Sequence, residues 1–223
     1  LPKLSSLFVE ERKLEFSNTL DWSIKLILLI GVPAVIGLVL LSESIILVLF
    51  ERGAFNANDS LQASYSLIAL AIGLVAFMLI KILTPSFFAR QEPKKPMYVA
   101  LASMILNAIL AWVLAFYFGY GHVGLAAASS ISAFFSVLAL MLLLSLEGIY
   151  KPSKGWFKFS MRLIFASLCL VLFLLTFNED PIDLRKITNL EQLLYILKMV
   201  IFGMALYLIA LRLTGIKFKE FMT

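Results

Sequence analysis

Residues 123–146 read VGLAAASSISAFFSVLALMLLLSL and contain no charged side chain. A bilayer's hydrocarbon core is about 30 Å thick, and a helix of about 20 apolar residues crosses it. At about 1.5 Å of rise per residue, this stretch is long enough to cross. It lacks the alternation of polar and apolar residues that is typical of a membrane β-strand. The sequence therefore predicts an α-helical membrane span here.

Five other stretches are also apolar and long enough to cross the bilayer. Together with residues 123–146, they give six predicted spans: residues 20–41, 61–83, 97–118, 123–146, 157–177 and 193–213. Of the 223 residues, 61% are hydrophobic and 15% charged, against about 45–50% and about 25% in soluble domains. A globule of this size cannot bury so much apolar surface, which excludes an ordinary soluble enzyme. The predicted fold class is all-α, a polytopic membrane protein with six transmembrane helices.

Shorter signals complete the predicted architecture. Residues 4–16 place apolar side chains at helical spacing and predict a helix at the cytoplasmic membrane surface. Residues 44–50 continue apolar beyond Glu43 and predict a short helix in the outer interface. Asn58, Asp59 and Ser60 are residue types that cap helix N-termini, so one of them is expected to begin the second span. The chain starts at Leu1 rather than methionine, and we expect it to be a piece of a longer protein.

The placement of lysine and arginine predicts the orientation. Thirteen of the 19 basic residues fall on the side that holds the N-terminus, and three, Arg52, Arg185 and Lys186, fall on the other. Basic residues concentrate on the cytoplasmic side of membrane proteins. The N-terminus and the C-terminus are therefore both predicted to be cytoplasmic. The net charge of +5 is explained by this topology signal, and nucleic acid is not an expected partner.

Catalytic and metal-binding chemistry is not expected. Cys169 is the single cysteine and His122 the single histidine, which excludes a disulfide framework and leaves too few ligands for tetrahedral zinc. No span interior contains paired carboxylates, no Ser/His/Asp arrangement is found around the one histidine, and no glycine-rich phosphate loop occurs. We expect no catalytic residue, no metal and no cofactor.

Four polar residues in or near the spans are candidates for function. Lys25 and Lys81 are cations associated with spans; they either serve a function or extend to the interface. Asn107, inside the third span, either bridges two helices or lines a polar cavity. Arg90, with Lys94 and Lys95 beside it, either binds an anionic headgroup or only sets the topology.

Small residues and a proline indicate packing or bending within the spans. Gly31, Pro33 and Gly37 lie in the first span, where a proline permits a kink; the kink is either a hinge or static. Gly124, Ala128 and Ser132 are spaced by four residues. Such a ridge lets a neighbouring helix approach closely.

Several strings together carry a family resemblance. They are LPKLS (residues 1–5), FERGAF (50–55), SFFARQ (86–91), KP (95–96) and GLA (124–126). In order and spacing they resemble the C-terminal part of the MurJ/MviN family, the bacterial lipid II flippases of the multidrug/oligosaccharidyl-lipid/polysaccharide exporter superfamily. The resemblance covers essentially the whole chain.

This resemblance implies a fold of fourteen transmembrane helices, with two lobes arranged as a V and a final helix pair. Residues 1–19 would be the cytoplasmic end of the preceding helix and a surface helix. Residues 20–148 would be four helices of the C-lobe. Residues 149–223 would be two additional helices whose groove holds the undecaprenyl tail.

The implied function is transport without catalysis. Lipid II, the undecaprenyl-pyrophosphate-linked peptidoglycan precursor, would move from the inner to the outer leaflet of the bacterial inner membrane by alternating access. The implied partners are lipid II, membrane lipids and the upstream N-lobe. Alternatives are a related polysaccharide-lipid flippase, a multidrug antiporter of the same superfamily, or a membrane enzyme acting on polyprenyl lipids.

The family's headgroup-binding arginines lie upstream of Leu1 and have no counterpart here. Under the resemblance, Lys25, Lys81, Arg90 and Asn107 are the candidates for substrate or gate contacts, and Gly31, Pro33 and Gly37 for a hinge. Arg52 and Gly53 are expected to stabilise an outer loop. Some members bind sodium in this lobe, but Ala111 follows Asn107 by one turn, and spans two to four have no acid in their interiors. No sodium site is therefore expected, and the driving ion stays open.

Overall fold

The computed structural model describes residues 13–153 and 155–215, and all regular structure in these ranges is helical. In chain order the helices are α1 (Lys13–Leu40), α2 (Ser42–Phe50), α3 (Ala57–Phe88), α4 (Lys94–Trp112), a π-helical turn (Val113–Tyr117), α5 (Gly121–Leu146), α6 (Trp156–Phe177), α7 (Pro181–Leu184) and α8 (Asn189–Leu213). Six segments, namely α1, α3, α4 with the π-helical turn, α5, α6 and α8, are long and apolar enough to cross a membrane. The prediction of six helical spans is confirmed, and α2 contains the predicted short helix of residues 44–50.

The helices extend beyond several predicted bounds. α1 is already helical at Lys13, seven residues before the predicted start of the first span. Residues 13–16, the end of the predicted surface helix, form its first described turn, and Phe16 is fully buried. The rest of that predicted helix, residues 4–12, lies outside the described residues. α3 extends the second span at both ends.

The N-cap predicted for α3 is wrong by at least two residues. The side-chain oxygen of Asn56 accepts hydrogen bonds from the backbone N–H of Asn58 (2.9 Å) and Asp59 (3.2 Å). The Asp59 carboxylate in turn accepts the Asn56 N–H at 2.9 Å. This reciprocal pair is a capping box. Asn56 therefore caps the helix, and Asp59 acts from the third helical position.

The chain divides into two compact units, residues 1–31 with 73–156 and residues 32–72 with 157–223. The core of the first unit joins α1, α3 and α5. Phe16, Leu20 and Ile24 are spaced by four residues on α1 and pack in one cluster with, among others, Leu83, Phe87, Leu140 and Leu144. An added methyl group on Gly73 of α3 would lie 2.9 Å from the backbone Cα of Ser130 on α5. Only a glycine permits that approach.

The second unit contains α2, α6, α7, α8 and the parts of α1 and α3 within residues 32–72. Leu47 and Val48 of α2 form a small buried cluster with Leu184 of α7. A capping box made by Thr188 and Glu191 begins α8. Gly203 of α8 lies against Leu170 of α6, where an added Cβ would be 3.0 Å from that leucine's side chain.

A π-helical turn that the sequence analysis did not predict ends the third span. Here the backbone N–H of Phe118 bonds the carbonyl of Val113 at 3.0 Å. Gly119 and Gly121 follow with φ of +72° and +52°, a left-handed region that side chains rarely adopt. Residues 119–122 thus form a tight turn between spans three and four, and the third span enters it through the π turn.

Candidate functional site

The carboxylate of Asp21 is the centre of a polar cluster in the first unit. Asp21 is only 2% exposed. It accepts hydrogen bonds from the Tyr150 hydroxyl (3.0 Å), the Ser153 hydroxyl (2.6 Å) and the Trp156 indole N–H. Lys25, one turn along α1, contributes its ammonium at 2.6 Å. A buried charge requires such partners, and here four side chains supply them.

Lys25 is held inside this cluster. Its ammonium donates to the Ser153 hydroxyl at 2.7 Å and lies 5.2 Å from the centre of the Trp156 ring. The side chain is 17% exposed. From the sequence, Lys25 either serves a function or extends its side chain to the membrane interface. In the structure, its charge is balanced by the Asp21 carboxylate.

The linker between α5 and α6 is bound to α1 at a second position. The Ser17 hydroxyl donates to the carbonyl of Lys151 at 3.1 Å and accepts that residue's backbone N–H at 2.9 Å. Ser17, Asp21 and Lys25 are spaced by four residues and share one face of α1. Burial, with the Asp21 carboxylate beside it, raises the pKa of Tyr150, so this linker tyrosine stays a neutral donor.

A second charged cluster surrounds Arg90. Its guanidinium pairs with the carboxylates of Glu147 and Glu92, the latter at 3.0 Å. Lys95 bonds the same two acids at 2.6 Å and 2.7 Å. Burial raises the pKa of Glu147, but the hydrogen bonds from Lys95 and Arg90 outweigh it and hold that pKa below its ordinary range. The cluster thus ties the end of α5 to the loop between α3 and α4.

Lys81 has a different environment. It is exposed, and among the described residues it makes no hydrogen bond or ion pair. It lies on α3, seven residues before the helix ends at Phe88. Of the basic candidates, Lys81 is the one whose charge the described structure leaves unmatched.

Asn107 lines an open cleft of about 550 Å³ in the first unit, and four serines are among the other lining residues. Its amide donates to the Ser129 hydroxyl at 3.3 Å, joining α4 to α5. Ser103, one turn earlier, donates to the carbonyl of Ser132 at 2.9 Å. The two alternatives left open for Asn107 therefore occur together: it bridges two helices and faces a cleft.

The predicted hinge residues lie on one continuous helix. Pro33 is inside α1, which stays helical to Leu40. An added Cβ on Gly31 would be 3.1 Å from the Val75 side chain, so this glycine permits close packing on α3. Pro33 and Gly37 line an apolar pocket of about 350 Å³ in the second unit. The hinge itself stays a prediction.

That pocket is built from four helices. Its remaining lining residues, from α1, α2, α6 and α8, are Ala34, Leu38, Leu41, Ile45, Leu170, Leu174, Met199, Val200, Gly203 and Met204. None of these side chains is charged, so the pocket offers a ligand hydrocarbon contacts only.

The loop after α2 is tied down by its glutamate. Glu51 accepts from Arg185 at 2.8 Å and from the Ser60 hydroxyl at 2.6 Å. The Arg185 hydrogen bond lowers the pKa of Glu51, and that of Arg185 is raised in return. Arg52 donates to the carbonyl of Val48 at 3.2 Å, and Gly53 has a φ of +63°. Arg52 and Gly53 thus shape the loop, while Glu51 joins it to the segment after α7.

Sequence reasoning missed the acids at the centres of these clusters: Asp21, Glu51 and Glu147. Only Asp21 carries a local signal, since Lys25 follows it by four residues on the same helical face. Among the described residues, no group of three or more histidine, cysteine, aspartate or glutamate side chains could hold a metal ion.

Both the sequence and the fold of this chain are similar to those of known proteins. The family model described as lipid II flippase MurJ matches residues 1–180. A probable lipid II flippase MurJ of Vibrio cholerae serotype O1 is 36% identical over 99% of this chain and 42% of its own length. The lipid II flippase MurJ of Burkholderia cenocepacia is 31% identical over 99% of this chain and 43% of its own. The chain therefore spans less than half the length of these relatives.

A solved structure shares the fold. It is described as lipid II flippase MurJ in an inward closed conformation, and it superposes with a TM-score of 0.73 at 24% sequence identity. The match covers 99% of this chain and 42% of that one. The resemblance in fold therefore includes all six spans.

Asp21→Asn is expected to destabilise the protein strongly. The substitution removes the negative charge that pairs with Lys25 and replaces one acceptor oxygen with an NH2 donor. Breaking a buried ion pair in this way lowers the free energy of unfolding by about 3–5 kcal/mol. Thermal unfolding in detergent measures the loss. Asp183→Asn, which breaks an exposed pair with Lys186, is the control and is expected to change stability by under about 0.5 kcal/mol. Equal shifts in both variants would contradict a structural role for Asp21.

Proposed function

The chain belongs to the MurJ family of lipid II flippases, and on that premise we propose that it supplies the C-terminal part of a protein that moves lipid II from the inner to the outer leaflet. The observation that carries the proposal is the family match over residues 1–180. The six membrane-spanning helices agree with it. The chain is part of a multi-pass membrane protein, and we place it in the bacterial inner membrane with a cytoplasmic C-terminus.

The physical problem is to move a pyrophosphate-linked headgroup through hydrocarbon. An isolated charge cannot cross that medium unaided. Alternating access solves this by rocking two halves of a protein around a central site, while the prenyl tail stays in lipid. The upstream lobe completes the cavity, and this region supplies part of its wall. No covalent bond changes, so the reaction requires no catalytic residue.

The apolar pocket of the second unit supports a site for the tail. Its uncharged lining fits an undecaprenyl chain, which has no hydrogen-bonding group along its length. The side of the pocket formed by α6 and α8 supports a groove between the fifth and sixth spans, and residues of α1 and α2 extend the pocket.

Among the four candidates for substrate or gate contacts, Lys81 has the strongest support. A cation within a span requires an anionic or aqueous partner, and among the described residues Lys81 has none. Lys25 and Arg90 are already paired with carboxylates, which favours a positioning role for both. Asn107 faces a cleft and is a secondary candidate for a polar contact.

Complementation tests the transport function. Expression of the full-length protein, including the segment upstream of Leu1, is expected to restore growth of cells depleted of their lipid II flippase. Growth and the appearance of lipid II at the outer leaflet are measured together. Failure to restore either, at normal membrane abundance, would contradict the proposal.

Lys81→Met in the full-length protein is expected to reduce lipid II export at least tenfold, about 1.4 kcal/mol of lost interaction. Lys81→Arg keeps the charge and is expected to retain most export. Membrane abundance and thermal stability of both variants serve as controls for folding. Wild-type export by Lys81→Met would remove Lys81 from the substrate path.

Met204→Gln tests the tail site with a side chain of similar length. Placing an amide against a prenyl chain without a hydrogen-bond partner costs about 1–3 kcal/mol, so export is expected to fall while stability changes little. Met204→Leu, which keeps the pocket apolar, is the control. If both variants export equally well, the pocket does not hold the tail.

A further inference from the structure

The π-helical turn at the end of α4 redirects the chain just before the hairpin. The Phe118 N–H bonds the Val113 carbonyl five residues back (3.0 Å), which is the π-helical spacing, and the Tyr120 N–H bonds the Leu114 carbonyl six residues back (3.1 Å), which closes the end of the helix. A π turn inserts one residue into the helical repeat, and such turns often mark functional positions. Here the inserted residue changes which side chains face outward over the last turn of the span.

Gly124 of α5 packs directly against the backbone of this turn. An added Cβ on Gly124 would lie 2.7 Å from the backbone carbon of Leu114 and 2.8 Å from the backbone nitrogen of Ala115. No side chain larger than hydrogen fits against that backbone. The first residue of the GLA string therefore holds the inner side of the π turn against α5, and the aromatic residues around it are left on the outside.

The outer side is an exposed aromatic surface. It comprises Trp112, Phe116, Tyr117, Phe118 and Tyr120, which are 56–75% exposed. Tyr117 packs edge-on against Phe118, and Phe118 stacks on Tyr120 with ring centres 6.1 Å apart. The rings thus support one another while their outer faces stay open.

This aromatic surface continues an apolar stripe along α4. Leu101, Ile105 and Ile109 are 50–56% exposed and follow one another at four-residue spacing, and Trp112 extends the same face. The segment from Ala108 to Gly121 contains no charged residue. A stripe of aliphatic residues that ends in tryptophan and tyrosine is the pattern of a helix passing from acyl chains into the headgroup region, where amphipathic rings concentrate.

We propose that the aromatic surface binds the boundary between headgroups and acyl chains of the outer leaflet, and so fixes the depth of the α4–α5 hairpin. The partner is the lipid surface itself. The aromatic surface is continuous with the aliphatic stripe of α4, and this continuity favours lipid as the partner. If the stripe contacts acyl chains, the aromatic rings at its end lie at the boundary between acyl chains and headgroups. The tyrosine hydroxyls meet water and phosphate there, while the rings stay in the apolar layer.

Tryptophan fluorescence in brominated-lipid vesicles tests this assignment. In the full-length protein, the quenching of the wild type is compared with that of Trp112→Phe, and the difference is the signal of Trp112, so that Trp156 keeps its hydrogen bond to Asp21. The vesicles are phosphatidylcholine brominated either near the glycerol end or near the terminus of the acyl chains. Trp112 is expected to be quenched at least twice as strongly by the shallow bromine as by the deep one, since tryptophan belts lie at headgroup level.

Ile131→Trp, in a variant that lacks Trp112, is the depth reference. Ile131 is exposed on α5, about 16 Å along the helix from Tyr120 at about 1.5 Å per residue, close to the middle of a hydrocarbon core about 30 Å thick. This reporter is expected to be quenched more strongly by the deep bromine. Quenching of Trp112 by neither bromine would show that protein covers the surface, and strong quenching by aqueous iodide would show that it faces water. Either result overturns the proposal.

Gly124→Ala tests whether the contact between Gly124 and the π-helical turn positions the aromatic surface. The added methyl group must displace the π turn, so the preference of Trp112 for the shallow bromine is expected to fall. Gly37→Ala is the matched control, because an added Cβ there meets nothing within 4 Å, and it is expected to leave that preference unchanged. An unchanged preference in Gly124→Ala would contradict the role of Gly124. If that variant does not fold, the Trp112 measurement still decides the lipid assignment.

Discussion

A buried carboxylate at the end of a membrane span needs hydrogen-bond donors or a cation beside it. Asp21 is such a carboxylate, and the surrounding structure has to supply these partners. It is the only acid among the described residues that is buried. Its donors come from its own helix, from the linker between α5 and α6 and from Trp156, the first residue of α6, which is 135 residues away. Because a lost partner leaves an uncompensated charge, the path of that linker depends on Asp21.

A buried charge also lies at the centre of the second cluster, where Arg90 is 8% exposed. Arg90 and Lys95 share the carboxylates of Glu92 and Glu147, and Arg185 pairs with Glu51. Each cluster joins loops or helix ends, leaving the middle of the spans apolar. Lys81 departs from this arrangement, which is why it is the strongest candidate among the four for contact with an anionic substrate.

Hydropathy sufficed to predict the six spans, because the length of an apolar run is a local property of the sequence, and the thickness of the hydrocarbon core sets the length that a span requires. The short helix α2 was predicted for the same reason. The N-cap of α3 was misplaced because three adjacent residues offer similar capping chemistry, and the one that caps, Asn56, lies before them. The charged clusters escaped prediction because each is assembled by contacts between residues 52 to 135 positions apart. The π turn escaped because it depends on close contact with Gly124.

Cysteine labelling across the membrane tests the central claim, that this region crosses the bilayer six times with a fixed orientation. Single cysteines at Asn56, Asp183 and Lys94 are introduced into the full-length protein with Cys169 replaced by serine, and intact cells are treated with an impermeant maleimide. Labelling at Asn56 and Asp183, with Lys94 labelled only after permeabilisation, is the predicted result. Labelling of Lys94 in intact cells, or protection of either outer position, would contradict the account.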